Sequence, residues 1–145
     1  MGVAGKLLIV LLISLALTAS VSFSFPPLFR ITENYRVLLI AAAAMAVVGF
    51  SLNLIAAFGM LSAYRNERLA TGGLYAYFLN PMYTFQLLVT VPGLLLLFNS
   101  WLVMLAIVPA FIAFKVFAKE EERFLEEKFG DRYRDYQKKV LFKFL

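Results

Sequence analysis

Gly72-Gly73-Leu74-Tyr75-Ala76-Tyr77-Phe78-Leu79-Asn80-Pro81-Met82-Tyr83 separates two long apolar blocks, and its reading decides how the chain folds. Gly72-Gly73 breaks the chain, and Asn80-Pro81 opens a new apolar helix, since Asn is a favoured N-cap and Pro a favoured first helical residue. The stretch is therefore a loop from which the chain enters a further helix. From about Met82 that helix presents unpaired N–H groups and the positive end of its dipole, which suits a carboxylate or a phosphate. The same residues also read as an ordinary interhelical loop at a membrane surface, where Tyr is common.

Outward from this loop the chain is apolar. Of its 145 residues 62% are apolar, against roughly half in a soluble domain, and the mean hydropathy is +0.81. Nearly uncharged runs of roughly 18 residues or more mark membrane spans. The expected fold is all-α: an integral membrane bundle of four transmembrane helices, about 7–28, 37–61, 81–98 and 101–118, with a cytoplasmic helical segment over 119–145. Nothing divides the chain, so 1–145 is read as one domain. The first run is expected to be a retained span, because it continues past Thr18-Ala19-Ser20 to Phe25; a cleaved signal peptide is the rival reading. Lys6 stands where a myristoylation signal has Ser or Thr.

Within the spans, Ala41 to Ala44, Ala46 and Gly49 are small enough to permit close helix contact, and Asn53 is expected to bond a neighbouring helix. Pro92-Gly93 and Pro109 predict kinks in the third and fourth spans. Asn99-Ser100 is short enough to make those two spans an antiparallel hairpin.

The 14 basic and 9 acidic residues are unevenly placed. If four spans cross, Lys6, Arg65, Arg68 and the nine basic residues from Lys115 onward fall on one side, and only Arg30 and Arg36 on the other. The positive-inside rule then puts both termini and the Gly72–Tyr83 loop in the cytoplasm. With no Cys and no His, thiolate chemistry, a zinc site and a serine–histidine hydrolase are disfavoured. No metal and no nucleic-acid partner is expected. A bundle this small is compatible with a homodimer.

A second constellation follows the fourth span. Glu121 neighbours Phe117, Ala118, Phe124 and Leu125 at helical spacing, an unusual setting for a carboxylate. Glu122 neighbours Ala118 and Leu125, with Lys119 as a local partner. Glu120, Glu126 and Glu127 read as helix decoration paired with Arg123. Gly130 ends the helix, and Tyr133 and Tyr136 follow. The hairpin brings this segment and the Gly73–Tyr83 loop to one end of the bundle, so the two can face one pocket.

These residues resemble a known family. Gly73 to Tyr83 is similar to the G-P-Y-R-Y-x-R-[HN]-P-M-Y motif of the isoprenylcysteine carboxyl methyltransferase and phospholipid methyltransferase superfamily. Glu121-Glu122-Arg123-Phe124-Leu125, Phe129-Gly130, Tyr133 and Tyr136 resemble its second motif, E-E-x-x-L, F-G, Y and Y. The resemblance implies a membrane methyltransferase using S-adenosylmethionine, with a lipid or lipid-modified substrate arriving from the bilayer. It implies that Tyr75, Asn80, Pro81, Met82 and Tyr83 bind the cofactor from one side and Glu121 and Glu122 from the other. Leu74 replaces the family's Pro, and Ala76 and Leu79 replace its two Arg, which leaves room for a member that binds without turnover. No glycine-rich Rossmann fingerprint is present.

The methyl acceptor stays open between two chemistries. A prenylcysteine carboxylate needs no base, whereas a phospholipid amine must first lose a proton to Glu, Asp, Tyr or Lys. The first is mildly favoured by the missing His and disfavoured by the missing Arg. No catalytic residue is assigned. The rival classes are a non-catalytic scaffold of the same fold and a small transporter, which would normally carry ionisable residues inside its spans.

Overall fold

The computed structural model describes residues 2–143. The described chain is helical, with α1 at Val3–Ser24, α2 at Pro26–Phe29, α3 at Tyr35–Arg65 and α4 at Pro81–Phe85. A π turn over Gln86–Thr90 leads into α5 at Val91–Leu95, followed by α6 at Trp101–Met104, α7 at Ile107–Phe129 and α8 at Asp131–Lys139. Four stretches are long and apolar enough to cross a membrane: Val3–Ser24, Tyr35–Arg65, Pro81–Phe98 and Trp101–Phe129. The all-α bundle expected from the sequence is therefore present. Three boundaries move. The first span starts at Val3 rather than 7, and it stops at Ser24 rather than 28 because Phe25 breaks the helix ahead of Pro26. The second extends beyond 37–61 at both ends, and α7 runs unbroken past 118.

At 31 residues and ~1.5 Å per residue, α3 is about 46 Å long, against roughly 30 Å of hydrocarbon. Its last turn therefore projects beyond the apolar slab and is free to form a wall of the site. Much of the surface is large and apolar, as at Leu17, Ile40, Val47, Phe58 and Ile112. In water that would be an aggregation hazard; against lipid it is the expected exterior.

The legs of the hairpin meet through Val91, Leu95, Val103 and Ala106. Their most extensive packing, however, is α7 along α1 and the third span along α3. Small residues permit the second pairing. Ala42, Gly49 and Ala56 lie buried on one face of α3. A Cβ on Gly93 would stand 2.7 Å from Met45 Cβ, and one on Gly49 would stand 2.9 Å from the Thr90 backbone nitrogen. The expected Gly49 contact is thus real, and Gly93 supplies its counterpart.

Both proline breaks occur, each displaced towards the N-terminus. Pro92 lacks an N–H, and the π turn precedes it, with Val91 N–H reaching the Gln86 carbonyl. Asn53 closes the opening: its amide donates to Gly49 O at 2.9 Å, Thr90 Oγ1 at 3.1 Å and Gln86 Oε1 at 3.3 Å. Ahead of Pro109, Leu105 and Ala106 form a tight turn that separates α6 from α7. The reversal between spans three and four uses Asn99 with φ +48° and Ser100 as N-cap, its hydroxyl accepting from Val103 N–H at 3.3 Å.

Lys6 Nζ lies 2.7 Å from Glu120 Oε2, so the start of α1 stands beside the charged half of α7. Glu126 pairs with Arg134 of α8 at 2.6 Å. The expected pairing of these two glutamates with Arg123 is thus replaced by contacts between elements.

Candidate functional site

The loop between α3 and α4 is pinned from two directions. Gly73, with φ +61°, admits the chain to a single 3-10 turn over Gly73–Ala76. The Tyr136 hydroxyl of α8 donates to the Tyr75 carbonyl at 2.8 Å. On the other flank the C-terminal segment adds a short parallel bridge: Phe142 N–H donates to Tyr77 O at 2.8 Å, and Leu79 N–H to Phe142 O at 3.1 Å. The Phe78 and Phe142 rings stack with centroids 5.0 Å apart. Leu79, which stands where the resembled motif carries Arg, is buried with Tyr133, Tyr136 and Val140. It is a core residue that seats the loop on α8.

On α7, Ala110, Phe114 and Ala118 form a buried stripe at four-residue spacing, and Glu121 continues it one turn later. Phe124 turns outward while Leu125 packs towards α8, so the apolar setting of Glu121 is narrower than its sequence neighbours imply. The Tyr83 hydroxyl and the Glu121 carboxylate are electrostatic neighbours, and the Tyr83 ring lies 4.9 Å from that of Phe114. One residue of each motif thus meets its counterpart directly.

Burial, and then the Glu121 carboxylate, push the Tyr75 hydroxyl up to about 12. Burial, and then Glu122, push Tyr133 up to about 12. Tyr136 is raised as well, by burial and then by Tyr75 and Tyr133. All three hydroxyls remain protonated at neutral pH, so they donate hydrogen bonds and do not act as bases.

Two spaces flank Asn80–Tyr83. A cavity of about 290 Å³ lies between the end of α3, the loop, α7 and α8; Tyr75, Leu79, Asn80, Leu125, Phe129 and Tyr133 form its inner walls. A groove of about 290 Å³ opens between α1 and α3, with Met82, Tyr83, Gln86 and Leu87 as its floor. Both stand near the lower end of the range for small-molecule sites, roughly 300–1,000 Å³. Asn80 faces the first space, Met82 and Tyr83 the second, and Pro81 is buried. Neither Glu121 nor Glu122 lines either space, and Glu122 lies on a shallow depression with Leu79, Arg134 and Lys138.

Asn80 occupies the N-cap position without capping. Its side chain makes no cap hydrogen bond, and its carbonyl instead accepts from Thr84 N–H and Thr84 Oγ1, each at 2.9 Å. Its amide is therefore available to the cavity it lines. The sequence reading missed Glu67, Arg68 and Lys128 at the cavity mouth. The polar run ahead of the loop was the only signal, because spacing does not connect Arg68 with Lys128.

The phospholipid methyltransferase family model matches residues 34–132. The chain belongs to the phospholipid methyltransferase family. The match begins at the foot of α3 and ends within α8, so it contains the loop, Glu121 and most of both spaces. Four helices long and apolar enough to cross a membrane, together with this family, make the chain an integral membrane protein. Neither the curated proteins nor the solved structures give a match.

Proposed function

We propose that the protein transfers a methyl group from S-adenosylmethionine to the head-group amine of a phospholipid at the cytoplasmic face of its membrane. The observation that carries this reading is the approach of Tyr83 to Glu121, beside the Asn80–Tyr83 segment that separates a cavity with a charged mouth from an apolar groove. The cavity's residues fit the cofactor. Asn80 and the tyrosines suit ribose hydroxyls, Leu79, Leu125 and Phe129 suit an adenine, and the charged mouth suits an amino-acid end. The apolar groove along α1 suits an acyl chain.

Bound there, S-adenosylmethionine supplies a methyl group on a sulfonium sulfur, whose leaving form is a neutral thioether. The protein's task is to align the acceptor nitrogen, exclude water and remove one proton. An ammonium has no lone pair to attack with. Glu121 accepts that proton, and Tyr83 holds the carboxylate in place. The family favours this amine over the prenylcysteine carboxylate. The twelve basic residues on one side favour the cytoplasmic orientation, and the Lys6–Glu120 pair supports both termini sharing that side.

Calorimetry with S-adenosylhomocysteine on the detergent-purified protein tests the cofactor site. Saturable binding that weakens in Asn80→Ala is expected; a folded wild type that binds nothing contradicts it. The buried Leu79 favours the second reading, a non-catalytic scaffold of the same fold. That reading predicts no methylated lipid even where cofactor binds.

A further inference from the structure

We propose that Arg68 and Lys128 hold the carboxylate of the bound cofactor at the cavity mouth, while Glu67 takes its ammonium. This rests on the cofactor reading above. The two cations come from different elements, Arg68 from just beyond α3 and Lys128 from the last turn of α7, yet both line one cavity with Glu67. The ion pairs among the described residues engage Lys6, Arg30, Arg134 and Lys138. Arg68 and Lys128 are in none of them, so neither charge is neutralised by an internal carboxylate within 4.0 Å. Lys128 Nζ rests instead over the Tyr64 and Phe129 rings, at 5.7 and 5.4 Å from their centroids. An aromatic bed orients an ammonium without cancelling its charge.

Glu67 is fixed at the same rim by backbone geometry. Its φ is +51°, a left-handed conformation that a non-glycine residue adopts only at a cost. It is held there because Glu67 N–H bonds Tyr64 O at 3.1 Å and Arg68 N–H bonds Ala63 O at 2.9 Å, closing off α3. The rim is therefore not simply basic. A phosphate alone would be repelled by Glu67, whereas an α-amino acid end uses all three groups: two donors for the carboxylate and one acceptor for the ammonium.

The test is calorimetry on the full-length protein with S-adenosylhomocysteine and with its decarboxylated analogue. The wild type is expected to bind the first at least about tenfold more tightly, the factor that charge-assisted contacts give. Arg68→Ala/Lys128→Ala is expected to bind the two compounds alike, with an unchanged melting temperature because both side chains are exposed. Arg68→Lys in an otherwise native chain should keep part of the preference, and Glu67→Gln should weaken both compounds, since each retains the ammonium. A double variant that keeps the tenfold preference overturns the assignment while leaving the cofactor site intact. A double variant with native cofactor affinity but a lost thermal stabilisation by added phosphatidylglycerol in detergent also overturns it, giving the rim to lipid phosphate. A wild type that binds neither compound removes the cofactor reading, and this assignment with it.

Discussion

The Tyr136 hydroxyl reaches the Tyr75 carbonyl at 2.8 Å across 61 residues of sequence. That bond ties the glycine-bearing loop to α8 and sets the width of the cavity between them. Tyr136→Phe keeps the ring in the core but leaves the part-buried carbonyl without its donor, at a cost of about 1 kcal/mol. The expected result is a lower melting temperature in detergent and weaker S-adenosylhomocysteine binding. Unchanged values for both would show that the loop is held by other contacts.

Close packing of α3 on the third span predicts a steric series. Gly93→Ala and Gly49→Ala each drive a methyl into a neighbour that has little room to move, and overpacking of this kind costs about 1–3 kcal/mol. Gly72→Ala, which meets nothing within 4 Å, is the control. Thermal unfolding in detergent should rank the first two well below the wild type and the control close to it.

Tyr75 and Tyr133 are each raised from 10.0 to about 12. The fold favours their protonated forms, so this contribution to stability is complete below pH 10 and is lost as pH rises towards 12. Absorbance titration should show Tyr75, Tyr133 and Tyr136 ionising late, with unfolding setting in over the same interval. Replacing Tyr75 with Phe should remove one late-ionising group. If every tyrosine titrates near pH 10, the loop–α8 junction is more open than described.

The spans, the hairpin turn and the start of the third span were legible because each rests on a local rule, and the two motifs by their resemblance to a family. Apolar length marks a span, Asn99-Ser100 marks a reversal, and Asn80-Pro81 marks a helix start. Asn53 was legible for the same reason, since a lone amide in hydrocarbon must find a partner. What escaped was non-local. The Lys6–Glu120 and Glu126–Arg134 pairs displaced the nearer Arg123 partners because α1 and α8 lie against α7, which no spacing reveals. Asn80 was read as a cap from propensity, but its position at the cavity wall leaves the amide free of that duty. The π turn follows from Pro92, though its placement depends on Asn53 and Thr90 of two different helices. Leu79 reads as a lost cation until Tyr133 and Tyr136 are seen packed against it.

The most direct measurement is transfer of a labelled methyl group from S-adenosylmethionine to lipid, with the protein in nanodiscs containing phosphatidylethanolamine. Wild type is compared with Glu121→Gln, which keeps the shape of the side chain but cannot accept the proton. The account predicts label in the amine head group with wild type. It predicts at least about a hundredfold slower transfer in the variant, in line with loss of a general base, with S-adenosylhomocysteine binding retained. Label absent from the lipid with a folded, cofactor-binding wild type, or transfer undiminished in Glu121→Gln, would contradict it.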